Sequence, residues 1–272
     1  MKKSFLRRAA AIVIASGTAV GATIFGVTAA TAATNDYVSF GDSFPANPGQ
    51  TDAVAGKMCP VSHQNVGHKV REKTSLNLKD YSCNGTVVYM PNTPEKILLS
   101  QVEAARANND LKDASLVTFF VGANDAMQSF PFPSQIQQDL YLNNMNQAVE
   151  TVRAEAPNAK IVIVGYPEFI GTENQITCPI NVAGFAPHVP AGPVKFFEDN
   201  LQDRQAAVAE ANGVQFLDMK QVANVEAGLC ATEGGYVSAF IDSNVGEYNM
   251  PVHLTHTGSD VFANEIVKAY NS

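Results

Sequence analysis

Asp36–Pro45 reads DYVSFGDSFP. Tyr37–Phe40 is an apolar, aromatic and β-branched run that breaks at Gly41-Asp42-Ser43, as a strand does at a turn. In an α/β protein, sites form at the carboxyl ends of strands. A break of this kind would put the Ser43 hydroxyl at the edge of a sheet. A serine there is either a turn residue or a nucleophile, and the rest of the chain has to decide.

Three further runs read as buried strands: Leu116–Val121, Lys160–Gly165 and Val214–Asp218. Helical periodicity lies between them. Pro94–Asn108 sets Ile97, Leu98, Val102 and Ala105 on one face, and Pro94 suits a first helical turn. Ser134–Ala154, Val194–Ala211 and Thr257–Tyr270 carry similar apolar stripes. Strands alternating with helices predict a single α/β domain over residues 33–272, with a mainly parallel sheet and helices on both faces. The Pro- and Gly-bearing stretches Ala46–Asp80 and Gly171–Pro193 read as long loops.

The 272 residues are 46% hydrophobic, enough for one full core. Residues 1–32 stand apart from it. Lys2, Lys3, Arg7 and Arg8 precede an uncharged run that ends in the small residues Thr28–Ala33, the pattern of a cleaved secretory signal. The competing reading is an uncleaved anchor, since the run is long enough to span a bilayer. Without residues 1–32 the chain has 14 Lys+Arg against 26 Asp+Glu, a net charge of −12. Phosphate backbones and anionic membranes repel such a chain, so no nucleic-acid partner is expected. Cys59, Cys83, Cys178 and Cys230 are even in number, and export makes two disulfides the default, with three pairings possible. Their spacing matches no zinc site.

A nucleophilic serine needs a base, most often histidine. His63, His68 and His188 fall in predicted loops without a distinctive context. His253 and His256 lie just before the last helix, where Thr255 or Thr257 suits the N-cap. Acyl transfer also needs donors for a developing oxyanion. Leu116–Val121 opens into Gly122-Ala123-Asn124-Asp125, whose Asn124 carries an amide, and Ser82-Cys83-Asn84-Gly85 supplies a glycine whose N–H a substrate can approach closely. Each of these residues also has an ordinary turn or cap reading.

Gly41-Asp42-Ser43, Gly85, Gly122-x-Asn124 and His253 followed by Gly258 occur in that order across nearly the whole mature chain. Together they resemble the SGNH hydrolase family, also called GDSL esterases and lipases. The resemblance implies a flavodoxin-like three-layer α/β/α sandwich that needs no cofactor and no metal. It implies that Ser43 is the nucleophile and His253 the base. The Ser43 N–H, Gly85 and Asn124 would form the oxyanion hole. The cysteines look most like those of the secreted actinobacterial branch, which implies the pairs Cys59–Cys83 and Cys178–Cys230. His256 does not match the pattern. Asp42 reads as a structural hydrogen-bonder, because its side chain should point away from Ser43.

The family usually has an Asp three residues before the histidine, and here that position is Met250. Met250 precedes Pro251, so its backbone should be extended and its carbonyl free of helix bonding. The expectation is a Ser43–His253 dyad oriented by the Met250 main-chain carbonyl, with Asp242 or Glu247 as rival partners. The activity expected is hydrolysis of carboxylic esters, of acyl lipids or acylated carbohydrates, by a secreted monomer of the extracellular space or cell envelope. The alternatives are acyl transfer to a carbohydrate or lipid acceptor, or a non-catalytic envelope-binding protein. The apolar loop residues Phe130, Phe132, Phe169, Ile170, Phe185 and Val189 suit an acyl groove or plain packing equally well.

Overall fold

The computed structural model describes residues 35–49, 58–129 and 132–272. The predicted signal segment 1–32 and Phe130 lie outside the described residues. Strands β1 (Asp36–Gly41), β2 (Asn77–Asp80), β3 (Ala114–Phe120) and β4 (Lys160–Val164) belong to the main sheet. β5 (Ile176–Thr177), β6 (Ile180–Asn181) and β7 (Val189–Pro190) are two-residue pieces outside it. β8 (Gln215–Leu217) completes the main sheet, and β9 (Ile241–Asp242) pairs with β6. The main sheet is parallel throughout, in the order β2-β1-β3-β4-β8.

The helices are α1 (Ser43–Ala46), α2 (Val66–Thr74), α3 (Leu98–Ala107), α4 (Ala123–Gln128), α5 (Ser134–Glu155), α6 (Gly192–Asn212) and α7 (His256–Asn271). α2 packs on α7 on one side of the sheet, and α3, α5 and α6 pack side by side on the other. The result is the predicted three-layer α/β/α sandwich. β1 and β3 are buried on both faces, so their residues read as continuous apolar runs. Tyr37, Phe40, Leu116, Phe119, Ile163 and Phe262 are wholly buried between the layers. Tyr37 keeps its hydroxyl satisfied by bonding Thr118 Oγ1 at 3.0 Å.

The long loop expected at Ala46–Asp80 is wrong in part. It contains α2, capped by Asn65, and the edge strand β2. β2 reads Asn-Leu-Lys-Asp and has no fully buried residue, so it lacks an apolar signal. The stretch Gly171–Pro193 is irregular apart from β5 to β7 and the first two residues of α6. Cys59 pairs with Cys83 and Cys178 with Cys230. Closing loops of 24 and 52 residues stabilises the fold by about 3 and about 4 kcal/mol. Cys178, His188 and Cys230 bring three potential ligand atoms together, but both sulfurs are already joined to each other.

Candidate active site

β1 ends at Gly41 and α1 begins at Ser43, so the serine stands at the carboxyl end of β1, between the edge strand β2 and the central strand β3. It is 6% exposed. Asp42 caps the turn, its Oδ1 accepting the Phe44 N–H at 2.9 Å. Its Oδ2 accepts from the Tyr166 hydroxyl, which itself accepts the Ala123 N–H at 3.1 Å. Burial pushes the Asp42 carboxyl up to about 7, with the Tyr166 and Phe44 hydrogen bonds pulling it back. Asp42 therefore ties the Ser43 turn to the segment carrying Asn124. Gln101, buried on α3, makes a second tie. Its Oε1 accepts from Gly41 N, and its Nε2 donates to Gly41 O at 3.1 Å and Thr86 Oγ1 at 2.8 Å.

The Gly85 segment is attached directly to the end of β1. Cys83 N donates to Gly41 O at 3.0 Å, and Thr86 donates its N–H and its hydroxyl to Cys83 O. Between them Gly85 has φ +86°, where a side chain would be strained. Among the described residues neither the Ser43 nor the Gly85 N–H has an acceptor. Asn124 donates one amide hydrogen to Thr86 O at 2.9 Å, leaving its second hydrogen for another acceptor. Its neighbour Asp125, buried, accepts from the N–H groups of Val88, Tyr89 and Met90 at 2.7–3.1 Å. Burial pushes the Asp125 carboxyl up to about 6, against the pull of those amides.

His253 arrives from the other end of the sequence. Its Nε2 lies 2.8 Å from Ser43 Oγ. Its ring stacks on Phe44 at 4.6 Å between centroids. Its Nδ1 meets the Pro251 carbonyl at 2.9 Å. A carbonyl only accepts, so Nδ1 carries the proton and Nε2 presents its lone pair to the serine. Burial lowers the histidine's pKa, and the Pro251 bond works in the opposite direction. The expected Met250 carbonyl is thus corrected to that of Pro251. Val252 has φ +59°, rare for a β-branched residue, and folds the chain so that the imidazole reaches two residues back. The Met250 carbonyl instead accepts the Ser238 hydroxyl at 3.0 Å.

The rival carboxylates face elsewhere. Asp242 accepts the N–H groups of Ala239, Asn244 and Val245. Glu247 lies 3.3 Å from His256 Nδ1. His256 opens α7, which Thr255 caps by accepting the Gly258 N–H at 2.9 Å. Gly258 is needed for clearance, since a Cβ there would sit 2.0 Å from the Tyr236 carbonyl oxygen. Asn47, immediately after α1, donates to Leu254 O at 3.0 Å and its own carbonyl accepts from Asn249. These bonds join the two ends of the chain at the site.

Sequence reasoning missed Gln101, Asn47 and Ser238. Each is a single polar residue in an otherwise ordinary segment, and its role follows only from which distant carbonyl it reaches. Of the apolar loop residues, Ile170 is buried and Phe169 packs edge-on to Phe44 at 5.7 Å. Phe132, Phe185 and Val189 are exposed.

A serine hydroxyl on the free nitrogen of an oriented imidazole, at the carboxyl edge of a parallel sheet, is the arrangement of a serine hydrolase. The chain belongs to the GDSL-like lipase/acylhydrolase family, whose profile matches residues 39–261. It is a carboxylic ester hydrolase of that family. It is 25% identical over 294 residues to Lipase 2 of Streptomyces coelicolor, with 95% of each covered. Its fold is similar to that of phospholipase A1 from Streptomyces albidoflavus NA297, with a TM-score of 0.59 and 18% identity over 86% of this chain and 98% of the other. The extracellular lipase of Streptomyces rimosus is similar at a TM-score of 0.59 and 17% identity, with the same coverage.

Proposed function

We propose that Ser43 and His253 form a catalytic dyad that hydrolyses carboxylic esters through an acyl-enzyme. The observation that carries this reading is the 2.8 Å contact between Ser43 Oγ and His253 Nε2, on a ring whose other nitrogen is committed to the Pro251 carbonyl. Ser43 Oγ attacks the ester carbonyl carbon while Nε2 takes its proton. The oxyanion is received by the Ser43 and Gly85 N–H groups and the second amide hydrogen of Asn124. The tetrahedral species collapses, Nε2 returns the proton to the leaving alcohol, and an acyl group remains on Ser43. Water, deprotonated at the same nitrogen, then releases the acid and restores the serine.

Acyl lipids are the favoured substrate class, because a lipase and a phospholipase stand among the similar proteins. Two disulfides and a signal-like leader support a secreted enzyme. Among the described residues no helix is long and apolar enough to cross a membrane. The test is Ser43→Ala with p-nitrophenyl butyrate. Turnover should fall to background while the circular dichroism spectrum stays unchanged, and a fluorophosphonate probe should label Ser43 in the unmodified enzyme. Retained turnover, or labelling at another serine, would overturn the assignment.

A further inference from the structure

Residues 126–138, 174–194 and 234–241 are among the stretches of this acidic chain that contain no Asp, Glu, Lys or Arg. They follow the carboxyl ends of β3, β4 and β8, which are neighbours in the sheet. In a parallel sheet such connections emerge at one edge, and here it is the edge that holds Ser43. Among the described residues, every large apolar side chain that is exposed, except Met58, lies on one of these stretches or within two residues of it. Phe185 and Phe240 are each 65% exposed, Ile241 59% and Phe196 58%.

The stretches are joined to one another. Phe240 and Ile241 donate their N–H groups to Pro179 O, and Ile180 pairs with Ile241 between β6 and β9. α5 and α6 run side by side in the same direction, tied by Arg204 to Gln137 and by Asn212 to Asn146. With that register α6 extends about 13 Å beyond the start of α5, alongside the segment that carries Phe132. They also adjoin the site. Phe240 follows Ser238 by two residues, and Ser238 bonds the histidine loop. On α6, Glu198 holds the N–H groups of Phe169 and Ile170, and Phe169 packs on Phe44.

We infer that this charge-free apolar collar docks the enzyme onto the surface of aggregated, electrically neutral lipid, with Ser43 facing the aggregate. An exposed apolar surface of this extent marks a place where water is displaced. The three stretches carry no Lys or Arg, and Lys195 beside Phe196 is buried and paired with Glu198 and Asp199, so with the net negative charge of the rest of the chain anionic surfaces are disfavoured. Zwitterionic or uncharged lipid meets neither repulsion nor unpaired charge. The inference rests on the reading of the enzyme as acting on acyl lipids.

The test uses the Ser43→Ala protein, which binds without turnover, and sucrose-loaded vesicles of phosphatidylcholine or phosphatidylglycerol. The expected result is co-sedimentation with phosphatidylcholine and markedly less with phosphatidylglycerol. Adding Phe196→Glu and Phe240→Glu should weaken sedimentation by roughly tenfold or more. The same two substitutions in the Ser43 enzyme should leave turnover of soluble p-nitrophenyl acetate within twofold. No sedimentation with phosphatidylcholine, equal binding by the double variant, or preference for the anionic vesicles would overturn the inference. So would a homodimer in sedimentation velocity that the double variant dissociates, since the collar would then be covered by a second copy. Because binding is read on an inactive protein, its failure is separate from any failure of the esterase assignment.

Discussion

Ser43 sits on a turn tied down by buried polar side chains, whereas His253 sits on a loop tied down by hydroxyl and carbonyl contacts. On the serine side, Asp42, Asp125 and Gln101 each satisfy two or more groups, and each reaches a segment distant from its own. On the histidine side, Ser238 reaches the Met250 carbonyl, Pro251 offers its carbonyl to the imidazole, and Val252 takes a left-handed backbone. Buried Asp42 and Asp125 are committed to the Ser43 turn and to the segment that carries Asn124, and among the described residues no carboxylate contacts the His253 ring. An imidazole oriented by a neutral carbonyl has less support for its charged form than one facing a carboxylate. Its lowered pKa keeps it in the neutral, proton-accepting state to more acidic pH.

The difference can be broken by substitution. The largest effect is expected from Asp125→Ala, which orphans the buried Val88 N–H, at about 1–3 kcal/mol, and the partly buried Tyr89 and Met90 N–H groups at less each. Urea denaturation should show a loss of about 2 kcal/mol or more, and a midpoint close to that of the unsubstituted enzyme would contradict the role given to the carboxylate. Ser238→Ala should come next, lowering kcat roughly tenfold with little change in KM, and Ser238→Thr should restore most of it. Unchanged kcat would mean that the histidine loop is held without this hydroxyl. Val252→Gly relieves a left-handed β-branched residue at about 1–3 kcal/mol, offset by about 0.5–1 kcal/mol of added chain freedom. Thermal denaturation should show an equal or slightly higher midpoint, and clear destabilisation would argue that φ +59° carries no strain. The smallest effect is expected from Glu247→Gln, which should leave kcat within twofold. A tenfold loss would return a carboxylate to the base.

The serine half was the more legible one. Strands with apolar runs announced themselves, and Gly41, Ser43, Gly85, Gly122 and Asn124 lie where backbone turns meet strand ends. The edge strand β2 and helix α2 were hidden because they are largely polar, so their residues lack the periodicity of buried elements. The orienting carbonyl was misplaced by one residue for a different reason. Any of several main-chain oxygens near His253 can be reached, and the choice depends on the backbone angle of Val252, which residue identity does not foretell. Gln101 and Asn47 were invisible because their partners are 60 and 207 residues away.

What holds His253 is tested directly by a 15N NMR titration of its ring in the intact enzyme. A neutral carbonyl on Nδ1 in a desolvated site predicts the Nδ1–H tautomer when neutral and a pKa below the ordinary histidine value of 6.5. A pKa above 6.5, as a carboxylate partner would produce, or an Nε2–H tautomer, would contradict it.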